Sequence, residues 1–218
     1  MNFDLKTTLY SLPGILLGLT IHEFCHAFCA WKLGDNTARE QGRLTLNPLK
    51  HIDPIGFLFI IIAGFGWAKP VQFAPENLRN FRRDKAMIAA AGPLSNLVLG
   101  VIFTLGLKMF INHITKFSAT EFNAALGTTF FYILLYSAFI NFGLFIFNLI
   151  PIPPLDGSHI VFSGLNLEPE IEENIRKIGM PVLIIILLAQ NYSNITIIPI
   201  SKWINAIVNF ILELKIPI

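Results

Sequence analysis

Apolar residues come in long blocks along this chain, divided by short polar stretches, and those blocks predict its architecture. From about Thr7 to Trp31 the residues are apolar for about seven turns of helix. Similar blocks run from about Lys85 to Phe110 and from about Phe122 to Asn148. Each is long enough for the roughly 20 residues that a helix needs to cross a bilayer. Pro13 and Gly14 near the start of the first block predict a bend, which neighbouring helices accommodate in a membrane.

The intervening stretches set the topology. From Lys32 to Lys50 the chain is polar, with Arg39, Arg43 and the turn-prone Asn47-Pro48. The next apolar run, Ile55 to Gly66, is too short for a straight span. Asp53-Pro54 before it, and Gly64 and Gly66 within it, punctuate it like a loop. The most basic stretch follows, with Lys69, Arg79, Arg82, Arg83 and Lys85. A crossing at Ile55–Gly66 would put two basic loops on opposite sides, whereas positive loops gather in the cytoplasm. The run is therefore expected to be re-entrant, entering and leaving on the cytoplasmic face. The loop Asn112–Glu121, with Lys116 its one lysine, is expected on the far side.

The third block returns to the cytoplasmic side and runs into Pro151, Pro153 and Pro154, three prolines in four positions, which cannot continue an ordinary helix. Asp156 follows, ahead of a short helix over Gly157–Leu165. The charged stretch Glu168–Lys177 reads as surface, Gly179–Ala189 as a fourth span, and Trp203–Leu214 as a final, shorter, interfacial helix. Asn191-Tyr192-Ser193 and Asn194-Ile195-Thr196 match glycosylation acceptors, a pattern common by chance.

Composition agrees with the pattern. Of 218 residues 54% are hydrophobic and 14% charged, where a soluble domain carries about 25% charged. Mean hydropathy is +0.62. A net charge of +2 gives no ground for a nucleic-acid partner; the lipid bilayer is the expected surrounding. The start of the chain lacks a net positive region, so the first block is expected to stay in the mature protein. Cys25 and Cys29 make no disulfide framework and read as small hydrophobes.

Chemistry enters at Thr20-Ile21-His22-Glu23-Phe24-Cys25-His26-Ala27, which reads H-E-x-x-H. Residues four apart share a helix face, so His22 and His26 can point at one ion. Two imidazoles at that spacing suit zinc, and Glu23 is placed to take a proton from water that the ion activates. The alternative is three accidental polar residues. Each would cost about 2–3 kcal/mol or more at mid-bilayer unless paired, hydrated or metal-bound, which argues for the ion.

Catalytic zinc uses three protein ligands and keeps one position open. Asp156 is the expected third ligand, because it follows the cytoplasmic end of the third block while His22 and His26 lie toward the cytoplasmic end of the first. His159 ranks second, and a Cys29 thiolate is a further alternative that would close the open position. Glu121 and His113 are expected on the far side and His51 in a basic loop. Asp156 alternatively caps the helix that follows it. Asn148 or Asn96 can supply an oxyanion donor, with Asn96 alternatively an interhelical contact. A helical substrate must unwind before cleavage, and the edge of the re-entrant segment can pair with it as an added strand.

These residues resemble the site-2 protease family of intramembrane zinc metalloproteases. The likeness rests on His22-Glu23-x-x-His26, Gly92-Pro93-x-x-Asn96 and Asn148-x-x-Pro151-x-Pro153-x-x-Asp156-Gly157, in the family's order. Gly64-x-Gly66-Trp67-Ala68-Lys69-Pro70 is similar to the family's re-entrant loop. The resemblance covers roughly Thr7 to Leu165. It implies one Zn2+ per chain on His22, His26 and Asp156, Glu23 as catalytic acid/base, Asn148 at the substrate or transition state, and Asn96 supporting the core. It also implies cleavage of transmembrane segments in membrane-protein or signal-type peptide substrates. Many members carry a PDZ domain or a CBS pair; this chain has room for neither and reads as a minimal form.

The expectation is thus an all-α polytopic membrane protein of the cell membrane, with its active site toward the cytoplasm. Residues 1–165 form a three-span catalytic core with a re-entrant loop at about 52–70. Residues 166–218 form a surface segment and one or two C-terminal helices. Two other classes are open to such a sequence: a non-catalytic zinc-binding membrane scaffold, in which Glu23 has no task, and a small transporter, for which the paired repeats that transporters tend to show are not visible.

Overall fold

The first apolar block forms a single helix, α1 (Leu5–Lys32), which continues through Pro13. The structure, a computed structural model, describes residues 5–63, 66–114, 121–165, 167, 169–192 and 197–213. After α1 come α2 (Thr37–Glu40), α3 (Pro54–Ala63), α4 (Phe81–Ile114), α5 (Glu121–Asn148), α6 (Asp156–Leu165), α7 (Pro169–Tyr192) and α8 (Ile200–Leu212). Among the described residues three stretches are long and apolar enough to cross a membrane: Lys6–Lys32, Phe81–His113 and Ala124–Asn148. The shortest, 25 residues, extends about 37 Å at about 1.5 Å per residue, more than a hydrocarbon core of about 30 Å. On α4 the exposed residues Leu94, Val98, Ile102, Leu105 and Met109 recur at helical spacing. An outward stripe that apolar faces lipid rather than water. The protein is an all-α, multi-pass membrane protein.

The helices α1, α4 and α5 pack on one another. Apolar burial does not drive helices together inside lipid, so close contact relies on small residues and interhelical hydrogen bonds. Gly14 shows this: a Cβ there would lie 2.5 Å from the Ser137 backbone on α5. The helix α8 lays Ile204, Val208 and Leu212 against Leu107 of α4 and Leu135 and Phe142 of α5.

The run Ile55–Gly66, expected to be loop-like, instead contains the helix α3. Asp53 explains its start, its side chain accepting the Gly56 N–H at 2.8 Å as helix-capping residues do. Ten residues reach only about 15 Å, so α3 is no span of its own. Beyond it the Lys69 N–H donates to the His51 carbonyl at 2.8 Å, and Ile52 and Ala68 form an antiparallel bridge. The two ends of the excursion therefore lie side by side, as entry and exit on one face require.

Toward the C-terminus the sequence predicts separate elements over Glu168–Lys177 and Gly179–Ala189. From Pro169 onward they lie instead in one helix, α7, which continues through Pro181. It is not among the three helices that meet the length and hydropathy of a span. Its charged first half is tied to the bundle where Glu172 accepts from the buried Lys85 of α4 at 2.5 Å. The loop around Lys116, the side chains of Glu121 and Asn191, and Ser193 to Thr196 lie outside the described residues.

Candidate metal centre

His22 and His26 sit one turn apart on α1, both buried, where the 3.6-residue period brings their rings together edge to face at 4.6 Å. Asp156 arrives from far along the sequence. The proline-rich stretch after Asn148 turns the chain back, and Asp156 is the first residue of α6. Gly157 permits this approach, since a Cβ there would collide with the Leu149 carbonyl oxygen.

The three donor atoms converge. His22 Nε2 and His26 Nε2 are 3.0 Å apart, and Asp156 Oδ2 lies 3.2 Å from the first and 3.4 Å from the second. Ligands of tetrahedral zinc bound at about 2.0–2.1 Å stand about 3.3 Å from one another, so the triangle has the right size. Proton placement sharpens the point. His22 Nδ1 meets Asn96 Oδ1 at 2.6 Å and His26 Nδ1 meets the Ile88 carbonyl at 2.7 Å. Both partners only accept, so each Nδ1 carries the hydrogen, and in a neutral ring each Nε2 presents a lone pair. Asp156 Oδ2 is itself buried and takes no hydrogen bond among the described residues. Three acceptors thus face one point, an arrangement that a cation relieves. Among the described residues, His22, His26 and Asp156 make up a group of ligating side chains with mutual reach.

Neighbours hold the rings. Asn96 Nδ2 donates to the Gly18 carbonyl at 3.1 Å and to Asn141 Oδ1 at 3.0 Å, while Asn141 Nδ2 donates to the Ser137 carbonyl at 2.8 Å. This polar thread joins α1, α4 and α5 and orients the Asn96 amide with its oxygen toward His22. Gly92 leaves the room that the histidines fill: a Cβ there would collide with His26 Nε2.

Glu23 is also buried, and its Oε2 accepts the Val71 N–H at 2.9 Å. That donor lies just past the α3 excursion. The buried Arg43 donates to the Lys69 carbonyl, and Asp35 accepts the Ala74 N–H at 3.0 Å. Burial lowers the pKa of Arg43 and the charge of Glu23 works the other way. Asp35 is buried, which works to raise its pKa, yet hydrogen bonds from Asn77, Thr37 and Ala74 hold it below the usual carboxylate value.

The expected residues divide on this geometry. His22, His26 and Asp156 come together, with Asn96 beside them. Cys29 and His159 are not in the group. Asp156 Oδ2 makes no capping bond. Asn148 closes α5, where its amide donates to the Leu144 carbonyl of its own helix at 3.0 Å. Sequence reading missed Asn141, the Ile88 carbonyl, the Val71 N–H and Arg43. Of these only Asn141, an amide in the middle of an apolar helix, carried a signal.

Known proteins bear on this arrangement. Three relatives share the name Putative zinc metalloprotease. YwhC of Bacillus subtilis is 41% identical over 167 residues, 74% of this chain and 71% of its own length. Rip2 of Mycolicibacterium smegmatis is 34% identical over 167 residues, 73% of this chain and 58% of its own. Rip2 of Mycobacterium tuberculosis is 25% identical over 216 residues, 94% of this chain and 73% of its own. No solved structure matches the chain. Zn2+ is the metal that these names carry, and two imidazoles with a carboxylate are donors that zinc accepts. The profile of Peptidase family M50 matches residues 10–190, from within α1 to the last turn of α7, and the chain belongs to that family.

Proposed function

We propose that this metalloprotease is an intramembrane endopeptidase, hydrolysing peptide bonds in or near transmembrane segments of membrane-protein or signal-type peptide substrates. The observation that carries the reading is the convergence of His22 Nε2, His26 Nε2 and Asp156 Oδ2, three acceptors 3.0–3.4 Å apart, the first two on a helix of membrane length. In this reading those three side chains hold Zn2+. Bound there, zinc would polarise a peptide carbonyl and make a water molecule acidic enough to attack near neutral pH.

The protein's own groups do the rest. Glu23 removes the proton from the attacking water and delivers it to the leaving nitrogen as the carbon–nitrogen bond breaks, leaving a carboxylic acid and an amine. Asn96 and the Ile88 carbonyl keep both imidazoles in the tautomer that offers Nε2. Asn148 supplies a donor to the oxyanion once substrate draws its amide away from Leu144. In this reading an unwound substrate pairs with the edge of the re-entrant segment as an added strand. The basic residues flanking α3 argue for the cell membrane with the site toward the cytoplasm.

Co-expression of candidate membrane proteins with wild type and Glu23→Gln tests this. Fragments are expected from the wild type alone, with zinc retained by Glu23→Gln and lost in Asp156→Ala. Equal fragments from Glu23→Gln would remove Glu23 from its role and the peptidase reading with it.

A further inference from the structure

The stretch Lys69–Ala74 crosses the centre without belonging to a sheet. Among the described residues the bridge at Ile52 and Ala68 stands outside any strand. Side chains hold this backbone in place. The guanidinium of Arg43 donates to the Lys69 carbonyl, the Val71 N–H donates to Glu23 Oε2 at 2.9 Å, and the Ala74 N–H donates to Asp35 Oδ2 at 3.0 Å. The planar Lys69–Pro70 peptide bond and the φ that the Pro70 ring fixes leave a single free torsion between the carbonyl that Arg43 grips and the N–H that Glu23 receives, which makes a stiff link.

Arg43 is itself placed by the chain. Gly42 adopts φ +68°, a left-handed conformation that glycine reaches at no steric cost, and the Arg43 N–H closes onto the Ala38 carbonyl at 2.8 Å. The side chain that follows is only 5% exposed. Burying a guanidinium is costly, and a surface loop has no need of it. Its hydrogen bond lands two residues from the donor that holds Glu23.

We propose that Arg43 is a positioning residue for peptide hydrolysis: it anchors the Lys69 carbonyl, which fixes the Val71 N–H against Glu23 Oε2 and holds that carboxylate in one orientation beside His22 and His26. Its bearing on catalysis rests on Glu23 being the general base. The mechanical part, a brace from Arg43 to Glu23 through Lys69–Val71, does not.

The experiment compares wild type, Arg43→Gln, Arg43→Lys and Glu23→Gln by amide hydrogen exchange over residues 69–74, zinc per chain, and kcat and KM on a cleavable membrane substrate. Faster exchange is expected in both Arg43→Gln and Glu23→Gln, with zinc unchanged. In Arg43→Gln kcat falls on the order of 10- to 100-fold at constant KM, because small misplacements of a reacting group cost that much. Lysine keeps the charge but not the planar fork, so Arg43→Lys recovers part of both effects. Wild-type exchange together with wild-type kcat in Arg43→Gln overturns the proposal, as does a change confined to KM. If Arg43→Gln loses zinc through misfolding, Arg43→Lys decides, and an unaltered kcat there overturns it. Where even the wild type cleaves nothing, the peptidase reading fails separately. Exchange over residues 69–74 then upholds the brace if it quickens in both variants and overturns it if it does not.

Discussion

His22 Nδ1 and Asn96 Oδ1 meet at 2.6 Å across the α1–α4 contact, and this bond decides which face of the imidazole is free. Asn96→Ala removes the acceptor and lets the ring turn or change tautomer. Loss of such an outer partner typically costs 10–100-fold in metal affinity. Competition titration with a zinc chelator should show that loss while the helical content of the purified protein stays unchanged.

Gly92 is a sharper probe of the same space. A methyl group there collides with His26 Nε2 and meets His22 Cε1 at 2.7 Å, so the rings must move apart or the helices must separate. Gly92→Ala is expected to abolish stoichiometric zinc and to destabilise the fold by about 1–3 kcal/mol, as overpacking does. Zinc content and thermal unfolding in detergent, measured side by side, check both.

Zinc should contribute to stability as well as to activity. A ligand that binds only the folded chain, at 100 times its dissociation constant, adds about 2.7 kcal/mol. Stripping with a chelator is therefore expected to lower Tm, and added zinc to restore it. In Asp156→Asn, which weakens the carboxylate donor, both shifts should shrink.

His159 gives a pH-dependent signature separate from the metal. Burial, with Lys85 and Arg176 nearby, pushes its pKa from 6.5 down to about 4. The unfolded chain then takes up a proton near pH 6.5 that the folded chain refuses until about pH 4. The resulting stability is present in full above pH 6.5 and is lost as pH falls toward 4, by up to about 3 kcal/mol at 1.36 kcal/mol per unit. His159→Phe should flatten the dependence of Tm on pH across that window while leaving zinc binding intact.

The sequence disclosed those parts of the site that are written in side-chain type and spacing. His22 and His26 follow from helical period, and Asp156 from its position after the third apolar block. Asn96 was legible as a polar residue in an apolar helix, though not as the partner of His22. Backbone donors and acceptors leave no trace in residue letters, so the Ile88 carbonyl and the Val71 N–H could not be foreseen. Arg43 stands in the sequence among the charges that set topology, since nothing local distinguishes a buried guanidinium from a solvated one. The helix α3 escaped for a different reason. Its ten apolar residues are bounded by proline and glycine, which punctuate a loop as readily as they cap a helix.

The three acceptors come from positions 22, 26 and 156, with two long helices inserted between them in the order of synthesis. While the chain is still leaving the ribosome, its first helix offers a metal only a pair of imidazoles, and the carboxylate arrives after Phe81–Ile114 and Glu121–Asn148 have been made. The group of three acceptors is therefore incomplete until most of the chain has been laid down, and its completion waits on the assembly of the fold.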